Sequence, residues 1–258
     1  MLSIQSLCVG YGNARGKVLT NISMEVAKGS FVCVIGRNGA GKSTLMRTLC
    51  GLQPALSGTA SIDKTIVEKM SPQERAQTIA IVTTDRVSSP GLTALDVVEL
   101  GRQPYTNWRG GLTATDVDIV ADSMEQAGAT QFANKLFDSL SDGERQRVMI
   151  ARALAQTSKI MVLDEITAFL DLPGRVEVMT LLRSHAEKTG KIVLLSSHDL
   201  ELSLELAEQL WIVDAGQVKS GYPKEAIINK AIPAAFDTPE VKFDIDTQHF
   251  KLQKPQAM

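Results

Sequence analysis

This sequence of 258 residues holds only three cysteines, Cys8, Cys33 and Cys50. An odd count at wide spacing excludes a disulfide framework and lacks the paired spacing of a zinc site. The reading is reduced thiols in a cytoplasmic protein. Aromatics make up 5% of the chain, which leaves few stacking platforms for single-stranded nucleic acid. Neither sign of charge is in surplus: Lys plus Arg is 27, Asp plus Glu is 29, and the formal charge is −2. Nothing therefore draws the whole chain to a polyanion, and no nucleic-acid partner is expected. Long hydrophobic runs are missing as well. Phe31–Ile35, Ile160–Leu163 and Ile192–Leu195 are far too short to span a bilayer. The start, MLSIQSLCVGYG, has no basic segment and no long apolar stretch, so no signal peptide is expected. A membrane role would have to run through a partner. No internal repeat or low-complexity linker is visible.

What is present is an ordinary globular composition, 44% hydrophobic and 22% charged. A chain of this length can bury a full core without a disulfide or metal staple. Leu2, Ile4 and Leu7 are spaced for a strand, and Val18 to Val26 alternates as a second one. FVCVIG is different in kind, a continuous apolar run ended by glycine. That pattern suits a strand buried on both faces. IMVL (Ile160–Leu163) and IVLL (Ile192–Leu195) share it, each after a helical pattern. Buried strands alternating with helices indicate a mostly parallel α/β sheet.

Residues 86–156 read as a helix-rich insertion. Helical spacing is carried by Asp96–Gly101 and by Asp116–Ala127, with Val117, Val120, Met124 and Ala127 on one face. Ser141 with Glu144, and Ser71 with Glu74, fit capping boxes. A further helix is expected from Pro173 to Lys188, stopped by Gly190, with Val176, Met179, Leu182 and Ala186 as its core stripe. The tail from Gly221 mixes short helical and strand patterns.

Chemistry enters with GRNGAGKST, comprising Gly36, Arg37, Asn38, Gly39, Ala40, Gly41, Lys42, Ser43 and Thr44. It fits G-x-x-x-x-G-K-[ST] directly after a buried strand and before a helical run. Glycines let backbone N–H groups converge on phosphate oxygens, and the helix that follows points its positive end at the anion. Lys42 is placed for the β- and γ-phosphates and Ser43 for Mg²⁺. The plain alternative is a glycine-rich turn that caps a helix. The second signal is IMVLDE. It sets Asp164 and Glu165 at the carboxyl end of a buried strand, the edge where open α/β sheets bind ligands. Asp164 suits Mg²⁺ and Glu165 suits an attacking water. Without the phosphate loop the same acids would read as solvated.

The third signal is LSDGERQRVMIARAL. Locally, Ser141 caps a helix, but Gly143 is unfavourable in a first helical turn unless something approaches the backbone closely. LSDGERQ resembles the LSGGQ-type signature of ATP-binding cassette (ABC) ATPases, and the motif order agrees over about residues 1–220. The resemblance implies that Ser141 and Gly143 contact the γ-phosphate held by the other subunit of a dimer. Asp142 stands where a second glycine is more common. Tyr11 resembles the residue that stacks on adenine, Asp171 the acid that crosses the dimer interface, and His198 the switch histidine at the γ-phosphate. A glutamine expected after strand Ile79–Val82 is replaced by Thr83-Thr84-Asp85. Thr84 aligns best with it, which puts Thr84 beside Ser43 and Asp164 as an implied metal contact and leaves the coupling geometry open.

The implied fold class is α/β, a P-loop NTPase core with a mostly parallel sheet, an N-terminal antiparallel β subdomain and an inserted helical subdomain. The implied divisions are 1–220 for the ATPase (1–85 and 157–220 core, 86–156 helical) and 221–258 as a C-terminal extension. GRQPYTNW and TAFLDL narrow the resemblance to ATPases of importers for iron-siderophore, haem and cobalamin. That implies ATP and Mg²⁺, a homodimer, a separate membrane permease, an indirect link to a substrate-binding protein, and a place on the cytoplasmic face of the inner membrane. Tyr105 and Trp108 read equally as groove residues or local anchors. An exporter or lipid-transporter ATPase, or a soluble cassette ATPase acting on nucleic acid or ribosomes, are the alternatives.

Overall fold

The computed structural model describes residues 1–12, 16–83, 89–106 and 110–253. The chain opens in an antiparallel sheet. β1 (Leu2–Tyr11) lies between β2 (Gly16–Val26) and β4 (Ser57–Ile62), and β5 (Thr65–Ile66) extends the β4 edge. The buried apolar side chains of β1 fall at positions 2, 4, 7 and 9 because the register shifts between Ile4 and Leu7. Ser6 takes φ 45° there. The extra residue of this bulge carries the buried set past one position without turning it to solvent.

The second sheet holds β3 (Phe31–Gly36), β6 (Ile79–Val82), β7 (Ile160–Asp164), β8 (Ile192–Ser196), β9 (Gln209–Asp214) and β10 (Gln217–Gly221), in the order β10-β9-β3-β8-β7-β6. All its pairings are parallel except β9 with β10. The continuous apolar runs have a direct cause. Phe31, Cys33 and Ile35 enter one core, while Val32 and Val34 enter another on the opposite face. Met161 and Leu163 divide from Ile160 and Val162 in the same way. One core is completed by α1 (Lys42–Leu49) and the antiparallel sheet. The other takes α3 (Ala94–Glu99), α4 (Ala114–Gln126), α5 (Asp142–Ala155) and α6 (Leu172–Thr189). Burial of the two thiols pushes Cys33 and Cys50 up to about 12, which keeps both protonated.

The capping boxes at Ser71, on α2 (Pro72–Thr78), and at Ser141 are present. Gly190 ends α6 in the left-handed conformation. Two core stripes need correction. Val117 is 52% exposed, and Asp116 takes the buried place beside it. A carboxylate can do so because Arg102 and Thr113 satisfy it. Val176 is 39% exposed, and Val178 joins Met179, Leu182 and Ala186 in the core instead. After α7 (Leu200–Leu206), the tail forms α8 (Pro223–Ile228), α9 (Ala231–Phe236) and a hairpin, β11 (Val241–Asp244) with β12 (His249–Leu252). Ile232 and Phe243 are buried in the same core as α5 and α6.

Candidate functional site

The phosphate loop leaves the carboxyl end of β3 and enters α1. Two of its glycines are dictated by crowding. A Cβ at Gly36 would lie 2.5 Å from the Val213 carbonyl oxygen, and one at Gly41 would lie 2.6 Å from Val18 Cγ1. Gly39 has open space but takes φ +77°. Lys42 is buried and folds back over the loop, donating to the Gly36 carbonyl at 2.9 Å and the Arg37 carbonyl at 3.4 Å. Burial lowers its pKa, and Glu165 and Asp164 oppose that shift. Asn38 is exposed, Ala40 and Ser43 are partly buried, and Thr44 is buried. The Tyr11 hydroxyl lies 3.4 Å from Thr44 Oγ1, so β1 brings Tyr11 to the first turn of α1.

The acids meet the loop from β7. Asp164 is buried and accepts a hydrogen bond from the Ser196 hydroxyl, whose oxygen accepts from the Glu165 amide at 2.9 Å. Ser196 sits there because β7 and β8 pair in parallel with Asp164 opposite it. Glu165 holds φ 54°, a left-handed conformation rare for a residue with a side chain. Its Oε1 lies 2.8 Å from His198 Nε2 and 3.7 Å from Lys42 Nζ. A single carboxylate thus joins the loop lysine to the histidine after β8. Asp199 caps α7 and pairs with Arg175 at 3.4 Å. Ser196, Arg175 and Asp199 were not singled out from sequence. Ser196 was within reach, since it ends a strand whose neighbour ends in the acids.

Ser43 and Asp164 supply hard oxygen donors of the kind Mg²⁺ takes. Among the described residues no group of three or more His, Cys, Asp or Glu could hold a metal. Thr84 and Asp85 lie outside the described residues, as does Trp108.

Ser141, Gly143 and Asp171 occupy helix starts. The Ser141 side chain accepts from the Glu144 amide, and the Glu144 carboxylate accepts from the Ser141 amide at 2.9 Å. That bond, with Lys135, holds Glu144 down to about 2. A Cβ at Gly143 would meet only Leu170 Cδ2, at 3.5 Å. Among the described residues no backbone approaches closely enough to demand the glycine. Asp171 caps α6 through the Gly174 amide at 3.0 Å and is exposed, beside exposed Phe169 and Leu172.

The far end of α5 is also gripped. The 3₁₀ segment Leu100–Tyr105 lies on its last turn, where a Cβ at Gly101 would come within 2.4 Å of the Arg152 carbonyl oxygen. Arg102 pairs with Asp116 at 2.8 Å and donates to the Ala155 carbonyl at 2.6 Å. Tyr105 stacks under its guanidinium and donates to the Gln156 carbonyl at 3.0 Å. Tyr105 is therefore an anchor with a half-exposed edge. A groove of about 610 Å³ opens beside it, lined by Leu52, Arg75, Gly101, Gln103, Pro104 and Gln156.

A family model described as ABC transporter matches residues 19–168. An uncharacterized ABC transporter ATP-binding protein of Methanocaldococcus jannaschii is 35% identical over 98% of this chain and 87% of its own length. The cobalamin import ATP-binding protein BtuD of Halobacterium salinarum is 37% identical over 86% of this chain, which spans about half (55%) of that relative. Among solved structures, a metal-chelate type ABC transporter in an inward-facing conformation superposes with a TM-score of 0.79 at 26% identity, covering 91% of this chain and 88% of the other. A dimeric ATP-binding cassette in a post-hydrolysis state with ADP and Pi gives 0.76 at 28% identity, covering 86% of this chain and 99% of that one.

Proposed function

Because the chain belongs to the ABC transporter family of ATP-hydrolysing cassettes, we propose that it is the ATPase subunit of an importer that drives uptake of a metal chelate through a separate permease. The cargo class is iron-siderophore, haem or cobalamin. The observation that carries the chemistry is the chain of contacts from Lys42 to Glu165 to His198 at the phosphate loop. The cargo reading is supported by the cobalamin and metal-chelate names of similar proteins.

The residues divide the work. Backbone amides of Gly39 to Lys42 and the α1 N-terminus hold the phosphates, and Lys42 neutralises charge on the transferring group. Ser43 and Asp164 would hold Mg²⁺, which would supply charge neutralisation for the phosphates. Thr84 is proposed at the same edge. Ser196 holds the Asp164 carboxylate in place. Glu165 accepts the proton of the attacking water, and His198 orients it. Tyr11 supplies an aromatic face for the base.

Two copies are proposed to sandwich two nucleotides. Ser141 and Gly143 then meet the γ-phosphate held by the second copy, and Asp171 crosses the interface. The lack of any close backbone approach to Gly143 among the described residues supports this. Exposed Phe169 and Leu172 add apolar surface beside Asp171. Residues 1–220 form the working cassette, with 86–156 as its mobile helical part and 221–258 as an extension. The groove beside Arg102 receives the permease, at the opposite end of α5 from Ser141. This sets the protein at the cytoplasmic face of the membrane, held by the permease; among the described residues no helix is long and apolar enough to cross it.

Affinity purification of the tagged chain from detergent-solubilised membranes tests this reading. A polytopic permease in stoichiometric amount is expected. Recovery with ribosomal protein or nucleic acid alone would overturn the transport claim and leave the ATPase.

A further inference from the structure

Residue 37 is the only arginine of the phosphate loop, and its side chain leaves the loop altogether. Arg37 Nε donates to the Ala235 carbonyl and Nη2 to the Asp237 carbonyl, both at 2.9 Å. Those oxygens end α9, with Asp237 as its C-cap. Carbonyls at a helix C-terminus lack intrahelical donors and carry partial negative charge, so a guanidinium fork is a fitting partner.

The same residue shapes the loop from within. Its carbonyl accepts from the Ala40 amide at 3.1 Å and from Lys42 Nζ at 3.4 Å. The other end of the bond is equally well anchored. Ile232 and Ala235 are buried in the main core, and α9 packs on β9. The Asp237 carboxylate accepts from the Phe243 amide at 2.8 Å, which ties the hairpin to the end of α9. Phe250 of that hairpin packs edge-on against Phe236 and Phe243. It also lines a cavity of about 450 Å³ together with Glu165, Arg175, His198, Asp199 and Glu201. His249 Nδ1 lies 2.7 Å from Glu201 Oε1. One C-terminal segment thus binds the phosphate loop through Arg37 and lines the cavity that also holds Glu165 and His198.

We propose that Arg37 is a positioning residue for the phosphate loop, and that α9 with the β11–β12 hairpin is the brace through which it acts. The brace holds the carbonyl of residue 37 against Lys42, so that the loop meets the phosphates already formed. The inference rests on ATP binding by the cassette and not on transport or cargo.

The test uses the full-length chain and measures Kd for ATP, KM and kcat for the wild type, Arg37→Ala and Arg37→Lys. Loss of two charge-assisted bonds at a partly exposed site is expected to raise Kd and KM about fivefold, with a smaller change in kcat. Arg37→Lys keeps a cation within reach and is expected to regain part of the affinity. A folded Arg37→Ala with wild-type Kd and KM, whatever its melting temperature, overturns the assignment. Should Arg37→Ala fail to fold, hydrogen exchange on the wild type decides. ATP is expected to slow exchange at residues 235–243 together with the loop. Protection of the loop alone overturns the brace. Absence of any ATP binding by the wild type is a separate result, against nucleotide binding itself.

Discussion

Replacing Glu165 by glutamine separates binding from hydrolysis. The carboxylate lies 2.8 Å from His198 Nε2 and 3.7 Å from Lys42 Nζ. Glutamine has the same length and offers an oxygen or an amide to either contact. It also keeps the hydrogen bond from the residue 165 amide to Ser196, which does not involve the side chain. What disappears is the negative charge and the capacity to take a proton. A positioned general base contributes about 10²–10⁴-fold, equivalent to about 3–5 kcal/mol on the barrier. Hydrolysis by Glu165→Gln is expected to fall by that factor. Affinity for ATP is expected to hold or rise. Two like charges about 4 Å apart repel by about 1 kcal/mol in water and about 4 kcal/mol at an effective dielectric of 20, and Glu165 is partly exposed. Equilibrium titration with ATP and phosphate release under single-turnover conditions give the two numbers independently. A folded variant whose turnover stays within about threefold of the wild type refutes the assignment of Glu165 as the base.

Two further outcomes follow from packing and charge. Arg102→Ala removes a buried guanidinium that serves Asp116, the Ala155 carbonyl and Thr157 Oγ1. The melting temperature is expected to drop by roughly 5–10 °C, and calorimetry showing a shift under 1 °C counts against the clamp. His185 has its Nε2 buried without a hydrogen-bond partner among the described residues, and burial, reinforced by the Lys191 charge, lowers its pKa to about 4. The unfolded chain, titrating near 6.5, binds more protons in that window. Stability is therefore complete above about pH 6.5 and declines as pH falls toward 4. His185→Gln is expected to flatten the decline between pH 6.5 and 5, above the carboxylate range, and an unaltered slope in melts across that range refutes it.

The grip of Arg102 and Tyr105 falls on the last turn of α5. α5 runs as one helix from Ser141 to that grip. A continuous helix therefore joins the edge of the groove to Ser141.

Much of this protein is written locally in its sequence. GRNGAGKST specifies a phosphate loop because every group it needs lies within nine residues. The boxes at Ser71 and Ser141 close over three residues. The runs at β3, β7 and β8 are apolar at successive positions because a strand with a core on each face has no solvent side. Other features became visible only in three dimensions. Ser196 reaches Asp164 through the pairing of β7 with β8. Lys42 meets Glu165, which lies 123 positions further along the chain. Val117 yields its buried place to Asp116 because Arg102, from another segment, satisfies the carboxylate. Arg37, an unremarked member of the loop, is tied to a helix end near residue 235. Periodicity and capping depend on neighbours a few bonds apart, so one sequence suffices to read them. Which strand lies beside which, and in what register, is decided by the packing of the whole chain, and the long-range contacts of the site follow from it.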